Sequence, residues 1–523
     1  MKSISQYYRL YKSFSFLIIL FLSASSVDAQ VKQEQKIEFD VKEGFSDISL
    51  FPIDDQEFVT VFTKRIGDLS ELVFKSYDAQ LKEQQSVTTK IPSNYYGESS
   101  YIDERGLLSH LSYHFRSGAF VLNQYTSGQS KAKSYQGVIG KKIDVKGMMQ
   151  VDNYLHVHGW LKRKKPFYCV IELSTGAVKW INLANQKKER FRVADLKKVD
   201  KNILVTYKRF LKKSSISSKH YQYLKPSGEV TQQAKEVIIE GGNHIVDFNL
   251  TDMGSRHLIV GSYGKKGQFA NGLFSILKKG DNVIYEQYYP FSSFNNYFAY
   301  LPEKRQERIE KKAARKKQKG KDLQLKSFIA LHDVIEQDGI YYIVGESYYP
   351  TYRTETYTVA GANGATSTQT VTIFDGYQYS HATILAVNEM GEKLWDQTFE
   401  MWLNSKPFFE KKFLSFEIYQ GTVSLMFATG KVVKSMRVKD GVVTKNREVT
   451  FSKEESDDKV KYMNASIEHW HNKVYISYGY QKIKNNGKKG KKRRRVFFIR
   501  LMEYGEAEAA ESKPRKKKVK DIF

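Results

Sequence analysis

The feature that most constrains this chain is a pattern of short apolar strands and tight turns that recurs about every 50 residues. Residues 382–399 show it most clearly, because an alternating apolar run ends in a turn at 388–391 and a second run follows. The eight copies, this one included, have first strands that begin at Phe58, Leu107, Tyr154, Ile203, His257, Gly339, Val423 and Val474. An antiparallel unit of this size cannot bury both of its faces alone, so the copies must pack on one another.

The period is close to that of a four-stranded propeller blade. The 35 Tyr and 32 Phe, with only nine Pro among 523 residues, favour strands and a large core. We therefore predict an all-β fold, a single β-propeller of seven or eight four-stranded blades over residues 30–505. Two segments, 301–325 and 351–380, are predicted insertions. A tandem of β-sandwiches is the alternative architecture.

The first 29 residues have the order of parts found in a secretory signal peptide. A basic start precedes an apolar core at residues 14–22, and small residues lead to a cleavage point at Gln30. We expect a mature protein that is periplasmic, secreted or held at the cell surface and does not span a membrane, because this core is short for a bilayer. An uncleaved anchor is the alternative. Cys169 is the sole cysteine, so no intramolecular disulfide can form.

Two turns share more than their spacing. Gly176 is followed four residues later by Trp180, and Gly391 by Trp395. These segments resemble the tryptophan-docking repeats of quinoprotein-type (PQQ-like) propellers, in which the tryptophan packs between neighbouring blades. The resemblance implies a propeller but no activity, since the adjacent cysteine pair of the quinoprotein dehydrogenases cannot be formed here. The end of the signal segment resembles export signals of Gram-negative bacteria of the Bacteroidetes type.

The net charge of +27 is concentrated in three segments. Residues 303–321 carry a net charge of +7, residues 482–495 hold nine basic and no acidic residues, and residues 513–520 hold six basic residues and no acidic ones. Without these segments and the predicted signal peptide, the remaining body has a net charge of only +3. We expect residues 303–321 to form a solvated helix or a disordered loop, and residues 506–523 to be a disordered basic tail.

Basic residues also recur in the loop between the first two recognised strands of several units. The candidate anion-binding residues are Lys162, Arg163, Lys164 and Lys165 in the third unit, and Lys488, Lys489, Lys491, Lys492, Arg493, Arg494 and Arg495 in the last. Equivalent loops of every blade emerge on one face, so we predict that these residues form a basic rim that attracts anions. The alternative is that lysine-rich loops only keep the strand edges soluble.

Two pairs of histidines could begin a metal site. His156 and His158, like His469 and His471, are two residues apart and so share one strand face. The sequence places no third ligand beside either pair, so hydrogen-bonded or packed histidines are the default interpretation.

Catalytic motifs are absent from the sequence. It has no Gly-x-Ser-x-Gly elbow, no phosphate-binding loop and no His-Glu-x-x-His. Asp103 and Glu104, with Tyr95, Tyr96 and Tyr101 nearby in the chain, could serve glycan chemistry if they met in space.

These observations predict an exported, non-catalytic β-propeller that binds an acidic partner and has no cofactor. The partner would be an acidic protein, a polysaccharide or the phosphate of lipopolysaccharide. Export argues against nucleic acid, which the basic clusters would otherwise suit. The alternative is an enzyme that acts on glycans or esters in the central channel, and carboxylates or histidines buried along that channel would favour it.

Overall fold

The computed structural model describes residues 32–41, 45–186, 188–211, 217–265, 269–295, 297–320, 328–360, 366–450, 459–484 and 493–503. The predicted signal peptide and the predicted basic tail lie outside these residues.

The described residues form eight antiparallel sheets, which we number as blades in chain order. The first strand, β1 (Lys32–Asp40), belongs to the last of them. Blade 1 contains β2 (Ser49–Pro52), β3 (Glu57–Ile66), β4 (Leu69–Asp78) and β5 (Glu83–Pro92). Blade 2 contains β6 (Gly97–Ile102), β7 (Leu108–Tyr113), β8 (Ala119–Tyr125) and β9 (Lys133–Val138). Blade 3 contains β10 (Ile143–Val151), β11 (Tyr154–Leu161), β12 (Lys165–Glu172) and β13 (Val178–Trp180).

The next three blades follow the same order. Blade 4 contains β14 (Glu189–Val199), β15 (Asn202–Leu211), β16 (Ser217–Leu224) and β17 (Val230–Val237). Blade 5 contains β18 (His244–Met253), β19 (Arg256–Gly264), β20 (Gly272–Lys279) and β21 (Asn282–Pro290). Blade 6 has its first strand split into β22 (Phe328–Leu331) and β23 (Ile335–Gln337), followed by β24 (Ile340–Ala360), β25 (Thr366–Val387) and β26 (Lys393–Glu400).

Two blades complete the ring. Blade 7 contains β27 (Leu414–Tyr419), β28 (Thr422–Thr429), β29 (Val432–Lys439) and β30 (Val442–Thr450). Blade 8 contains β31 (Lys459–His471), β32 (Val474–Lys484) and β33 (Arg494–Glu503), with β1 as its fourth strand. Between blades 5 and 6 lie a short 3₁₀ turn (Phe291–Ser293) and the helix α1 (Glu303–Lys317).

The eight sheets close into a ring. Eight buried apolar clusters each join two consecutive blades, and one of them joins blade 8 back to blade 1. In that cluster Trp470 of blade 8 packs edge-on against Phe58 of blade 1, with ring centroids 5.4 Å apart. Each fully buried side chain of this kind contributes about 1.5–3 kcal/mol. The prediction of a propeller is therefore confirmed, and the number of blades is eight.

The ring is closed by strands from both ends of the chain. β1 pairs antiparallel with β33, with Ile37 opposite Ile499 and Phe39 opposite Phe497. The pairing covers the edge of β33, which would otherwise present unpaired backbone groups to solvent. This strand was not recognised from the sequence.

The first strands recognised in the sequence are the second strands of the blades. The true first strands line the axis, since those of neighbouring blades contact one another. Their sequences mix charged and apolar residues, as in β14, whose alternation is also broken by a bulge between Val193 and Asp195. The inner strands were therefore missed in the sequence, because strands that line a polar channel lack a clear alternation of apolar residues.

The segment predicted as the second insertion is largely strand. β24 and β25 extend beyond their blade as a two-stranded ribbon, with Tyr352 opposite Phe374 and Thr356 opposite Thr370. The segment predicted as the first insertion contains α1, most of which is exposed. Among the described residues, no helix combines the length and apolar character needed to cross a bilayer.

Trp395 of blade 6 packs against blade 7. Gly441, in the turn between β29 and β30 of the next blade, has a φ of +78°, and an added Cβ would approach the Trp395 Cβ to 2.6 Å. Trp180 packs edge-on against Phe167 of its own blade, with centroids 5.7 Å apart, and lies beside Gly140 in the link from blade 2.

Candidate functional site

Antiparallel topology sorts the connections of the blades onto two faces. Loops between the second and third strands, and links from an outer strand to the next inner strand, open on one face, which we call the upper face. The turns between the first and second strands, and between the third and fourth, open on the lower face. The turn between β11 and β12, which holds Lys162, Arg163, Lys164 and Lys165, is of the upper kind.

The turn between β11 and β12 presents four of the predicted residues to solvent. Lys162, Arg163, Lys164 and Lys165 are all exposed, and the Arg163 guanidinium lies 5.3 Å from the centroid of the Phe115 ring. Lys162 and Arg163 have positive φ values of 52° and 56°. This left-handed conformation costs roughly 1–2 kcal/mol at a residue with a side chain, and Asn-Gly is the usual choice in such turns.

Four further cations surround this turn and were not singled out from the sequence. The backbone of Lys142 accepts a hydrogen bond from Lys162 N at 2.7 Å, and Lys142 N donates to Arg116 O at 3.1 Å. Lys141 and Lys188 are exposed in the adjoining links. We call the whole set the upper basic face, and its members are Arg116, Lys141, Lys142, Lys162, Arg163, Lys164, Lys165 and Lys188. Within the described part of the chain, none of the eight has a carboxylate within 4.0 Å.

The predicted residues of blade 8 are not shown to join this face. Lys488, Lys489, Lys491 and Lys492 lie outside the described residues. Among the arginines, Arg493 is exposed, while Arg495 stacks 4.2 Å from the centroid of the Tyr480 ring. Arg494 is paired with Asp40 at 3.2 Å and with Glu38 at 3.7 Å.

A loop crosses the upper mouth of the channel. The link from β26 to β27, residues 401–413, is here called the strap. It is tied at the base of the ribbon, where Lys406 Nζ lies 2.7 Å from Asp375 Oδ2 and Tyr377 N donates to Pro407 O at 2.8 Å.

The far side of the strap reaches other blades. Phe409 lies against Lys146 of blade 3, which is opposite blade 7 in the ring, with 5.6 Å from the ammonium to the ring centroid. The strap then leads into blade 7, and the buried Glu346 carboxylate of blade 6 accepts hydrogen bonds from Phe413 N and Leu414 N, both at 2.9 Å. His332 Nε2 lies 2.7 Å from the same carboxylate.

Beneath the strap, blade 4 carries three cations side by side. Arg192 of β14 is directly opposite Lys208 of β15, which is directly opposite Lys219 of β16. The Asp247 carboxylate of blade 5 lies 3.3 Å from the Lys208 ammonium. Lys219 is only 4% exposed, and burial, with Lys208 and Arg192 nearby, lowers the pKa of its amine to about 7. We call these three residues the cation row.

Carboxyl groups face the cation row and the channel below it. Burial raises the pKa of Glu410 in the strap, and the charge on Asp247 adds to the rise, while a hydrogen bond from Tyr348 and the nearby Lys208 oppose it. Lower in the channel, Lys197 Nζ lies 2.6 Å from Asp333 Oδ1. Burial opposes ionisation of Asp333, but Lys197 holds its pKa below the ordinary value.

A pocket of about 320 Å³ opens between the inner strands of blades 7 and 8. Its walls include Lys411, Ser415, Phe416, Ser466, Glu468 and Tyr478. The Tyr478 hydroxyl donates a hydrogen bond to Glu468. Burial raises the pKa of the Glu468 carboxyl, so this acid keeps its proton to higher pH than usual.

One histidine of each predicted pair has a well-defined local partner. His156 is buried between the Tyr168 hydroxyl at 2.7 Å and Pro226 O at 2.9 Å, and burial lowers its pKa to about 4. His469 lies 3.3 Å from the Glu417 carboxylate. Across the described residues, no group of three His, Cys, Asp or Glu side chains could hold a metal ion.

The proposed grouping of carboxylates and tyrosines is formed only in part, because Tyr101, Asp103 and Glu104 line one small pocket while Tyr95 lies elsewhere. Asp103 lies on the lower face, where it accepts from Arg105 N at 3.0 Å and Leu107 N at 2.9 Å and so shapes a turn. Tyr95 lies in the link from β5 to β6 on the upper face, stacked on His114 with centroids 6.2 Å apart. The strand β6 separates them, which sequence proximity could not show.

Comparison with known proteins finds only distant structural similarity. No family model and no curated protein match the chain. A polysaccharide lyase, Uly1, has a similar structure (TM-score 0.39, 10% identity, with 91% of this chain and 100% of that chain covered). So do a prolyl endopeptidase (TM-score 0.35, 11% identity, 84% and 54%) and the uncharacterized protein lmo1340 of Listeria monocytogenes EGD-e (TM-score 0.35, 9% identity, 80% and 100%).

Proposed function

We propose that this chain is an exported binding module that holds an acidic polysaccharide on its upper basic face. The observation that carries the proposal is the upper basic face itself, with eight exposed cations on successive connections of blades 2–4 and no acidic partner among the described residues. Such a field attracts a polyanion and makes the binding sensitive to salt.

The surroundings of the face favour a polysaccharide among acidic partners. Tyr96 is 76% exposed and Phe409 is 74% exposed, both on upper-face connections. Flat aromatic surfaces beside cations suit a chain of sugar rings that carry carboxylate or sulfate groups. A protein exported as the sequence predicts would meet such polymers at the cell envelope or outside the cell.

The strain in the basic turn supports the same function. Lys162 and Arg163 occupy positions where Asn-Gly would give a more stable protein. Local strain of this kind is typical of functional sites, because selection for a surface feature outweighs the lost stability.

The proposal is tested by removing four charges. Replacing Arg116, Lys142, Lys162 and Arg163 by Gln is expected to weaken binding of heparin, a sulfated polysaccharide, by about tenfold, or about 1.4 kcal/mol. The dissociation constant is measured at two salt concentrations. The matched control replaces four exposed lower-face lysines (Lys82, Lys201, Lys279 and Lys439) by Gln. Equal losses of heparin affinity in the two variants would contradict the proposal. Tighter binding of single-stranded DNA than of heparin would indicate that the face binds nucleic acid instead.

A second candidate function is catalysis on a glycan or an ester in the channel. The observation that favours it is the pocket between blades 7 and 8, where Glu468 has a raised pKa and a tyrosine partner. A protonated carboxyl can serve as a general acid. The test is release of reducing ends from pectin or heparin by the wild type and by Glu468→Gln, and equal release from both would exclude this role for Glu468.

A further inference from the structure

The cation row of blade 4 is an unusual arrangement in a sheet. Like charges directly opposite one another on neighbouring strands destabilise the pairing. Arg192, Lys208 and Lys219 form two such pairs in succession. Within the described residues only Lys208 of the three has a carboxylate within 4.0 Å, which belongs to Asp247.

The row runs from solvent into the protein. Arg192 is exposed at the channel mouth, Lys208 is half-buried, and Lys219 is buried, with its ammonium donating to Ser217 Oγ at 2.9 Å. Taking an ammonium group out of water without a counter-ion is costly, so a protein with no use for it would carry an apolar residue here.

We propose that the cation row is a seat for one carboxylate or sulfate group of the acidic polysaccharide, at the mouth of the channel. This inference rests on the proposed function and deepens it, because it names the place where a single charged group of the polymer is recognised. The row lies on the blade that also carries Lys188 in its entering link, so a polymer on the upper basic face can reach it without leaving the surface. A seated anion adds a second counter-charge to the row, whose three cations have Asp247 as their one carboxylate within 4.0 Å among the described residues.

Proton uptake should accompany binding at this seat. The groups that face Lys219 are Lys208, Arg192 and the Asp247 carboxylate, with Ser217 beside the amine and Glu410 beyond Asp247. A seated anion favours the protonated amine, whose pKa in the free protein is about 7. The affinity of the wild type is therefore expected to fall about tenfold from pH 6 to pH 8, as the amine loses its proton.

The experiment measures hexagalacturonate binding by calorimetry at pH 6, 7 and 8. Lys219→Met keeps the hydrocarbon stem and removes the charge, so it should fold, bind more weakly at pH 6 and lose most of the pH dependence. Lys198→Met, on the same blade at the lower end of β14, is the control and should behave as the wild type. Thermal unfolding of each variant verifies that it is folded.

The outcomes separate this inference from the function it rests on. If Lys219→Met matches the wild type in affinity and pH profile while the four-charge variant of the upper basic face loses binding, the seat is wrong and the polysaccharide function stands. If no form of the protein binds hexagalacturonate or heparin at low salt, both are wrong. Sodium sulfate alone is also titrated, at matched ionic strength. If binding of sulfate depends on Lys219 but binding of hexagalacturonate does not, the seat is not a polysaccharide site.

Discussion

At the scale of single residues, some charged side chains occupy positions that lower the stability of the protein. The tight turn after β11 holds Lys162 and Arg163 at positive φ, and β16 buries Lys219. The sequence predicted the first pair as a basic loop. It could not predict Lys219, because a lysine in a strand with polar neighbours reads as a solvated residue until its cross-strand partners are known.

The turn provides a prediction at this scale. Replacing Lys162 by Asn together with Arg163 by Gly should raise the free energy of unfolding by about 1–2 kcal/mol, because it relieves the left-handed strain at both positions. The same change should weaken heparin binding. Urea unfolding and a binding titration measure the two effects.

The control for this prediction is the pair Lys162→Gln and Arg163→Gln, which removes the charges and keeps the strain. It should lose the same binding without the gain in stability. A stability gain in the Gln variant would show that the turn is destabilised by charge repulsion and not by backbone strain.

At the scale of elements, the strap and the inner strands define the site. Where the strap enters blade 7, the buried Glu346 carboxylate of blade 6 accepts hydrogen bonds from Phe413 N of the strap and Leu414 N of β27, and it lies beside His332. The sequence identified the strand that begins at Gly339 but offered no signal for this role of Glu346, since residue 346 and residue 413 are far apart in the chain.

Glu346→Gln should lower the free energy of unfolding by about 2 kcal/mol, because an uncharged amide replaces a charged acceptor and adds a donor that faces other donors. Hydrogen exchange should become faster at Phe413 and Leu414. Urea unfolding and exchange measured by mass spectrometry provide the two readings, with Glu355→Gln, on the ribbon, as the control. Unchanged exchange at the strap would show that Glu346 does not anchor it.

At the scale of the whole molecule, the ring depends on its two ends. β1 completes blade 8 and adds Ile37 and Phe39 to the cluster between blades 8 and 1. Without β1, the backbone of β33 becomes an exposed edge beside buried Phe497 and Phe498.

A chain that begins after Asp40 should therefore unfold at lower urea than one that begins at Gln30, and it should self-associate through the free edge. Light scattering and urea unfolding provide the comparison. Adding a peptide of residues 30–41 should restore the urea midpoint of the truncated protein. A truncated protein that stays monomeric with an unchanged midpoint would show that β1 is dispensable for closure.

The all-β class, the repeat of about 50 residues and the basic turn at Lys162–Lys165 can be read from the amino-acid sequence, because alternation, turn residues and charge runs are local properties of a chain. Other features emerge only in the folded molecule: eight blades, the closing strand from the amino-terminal end, the meeting of Arg116 and Lys142 with that turn, and the row of Arg192, Lys208 and Lys219. These depend on register and ring closure, which bring together residues that are far apart in the chain and which local patterns do not encode.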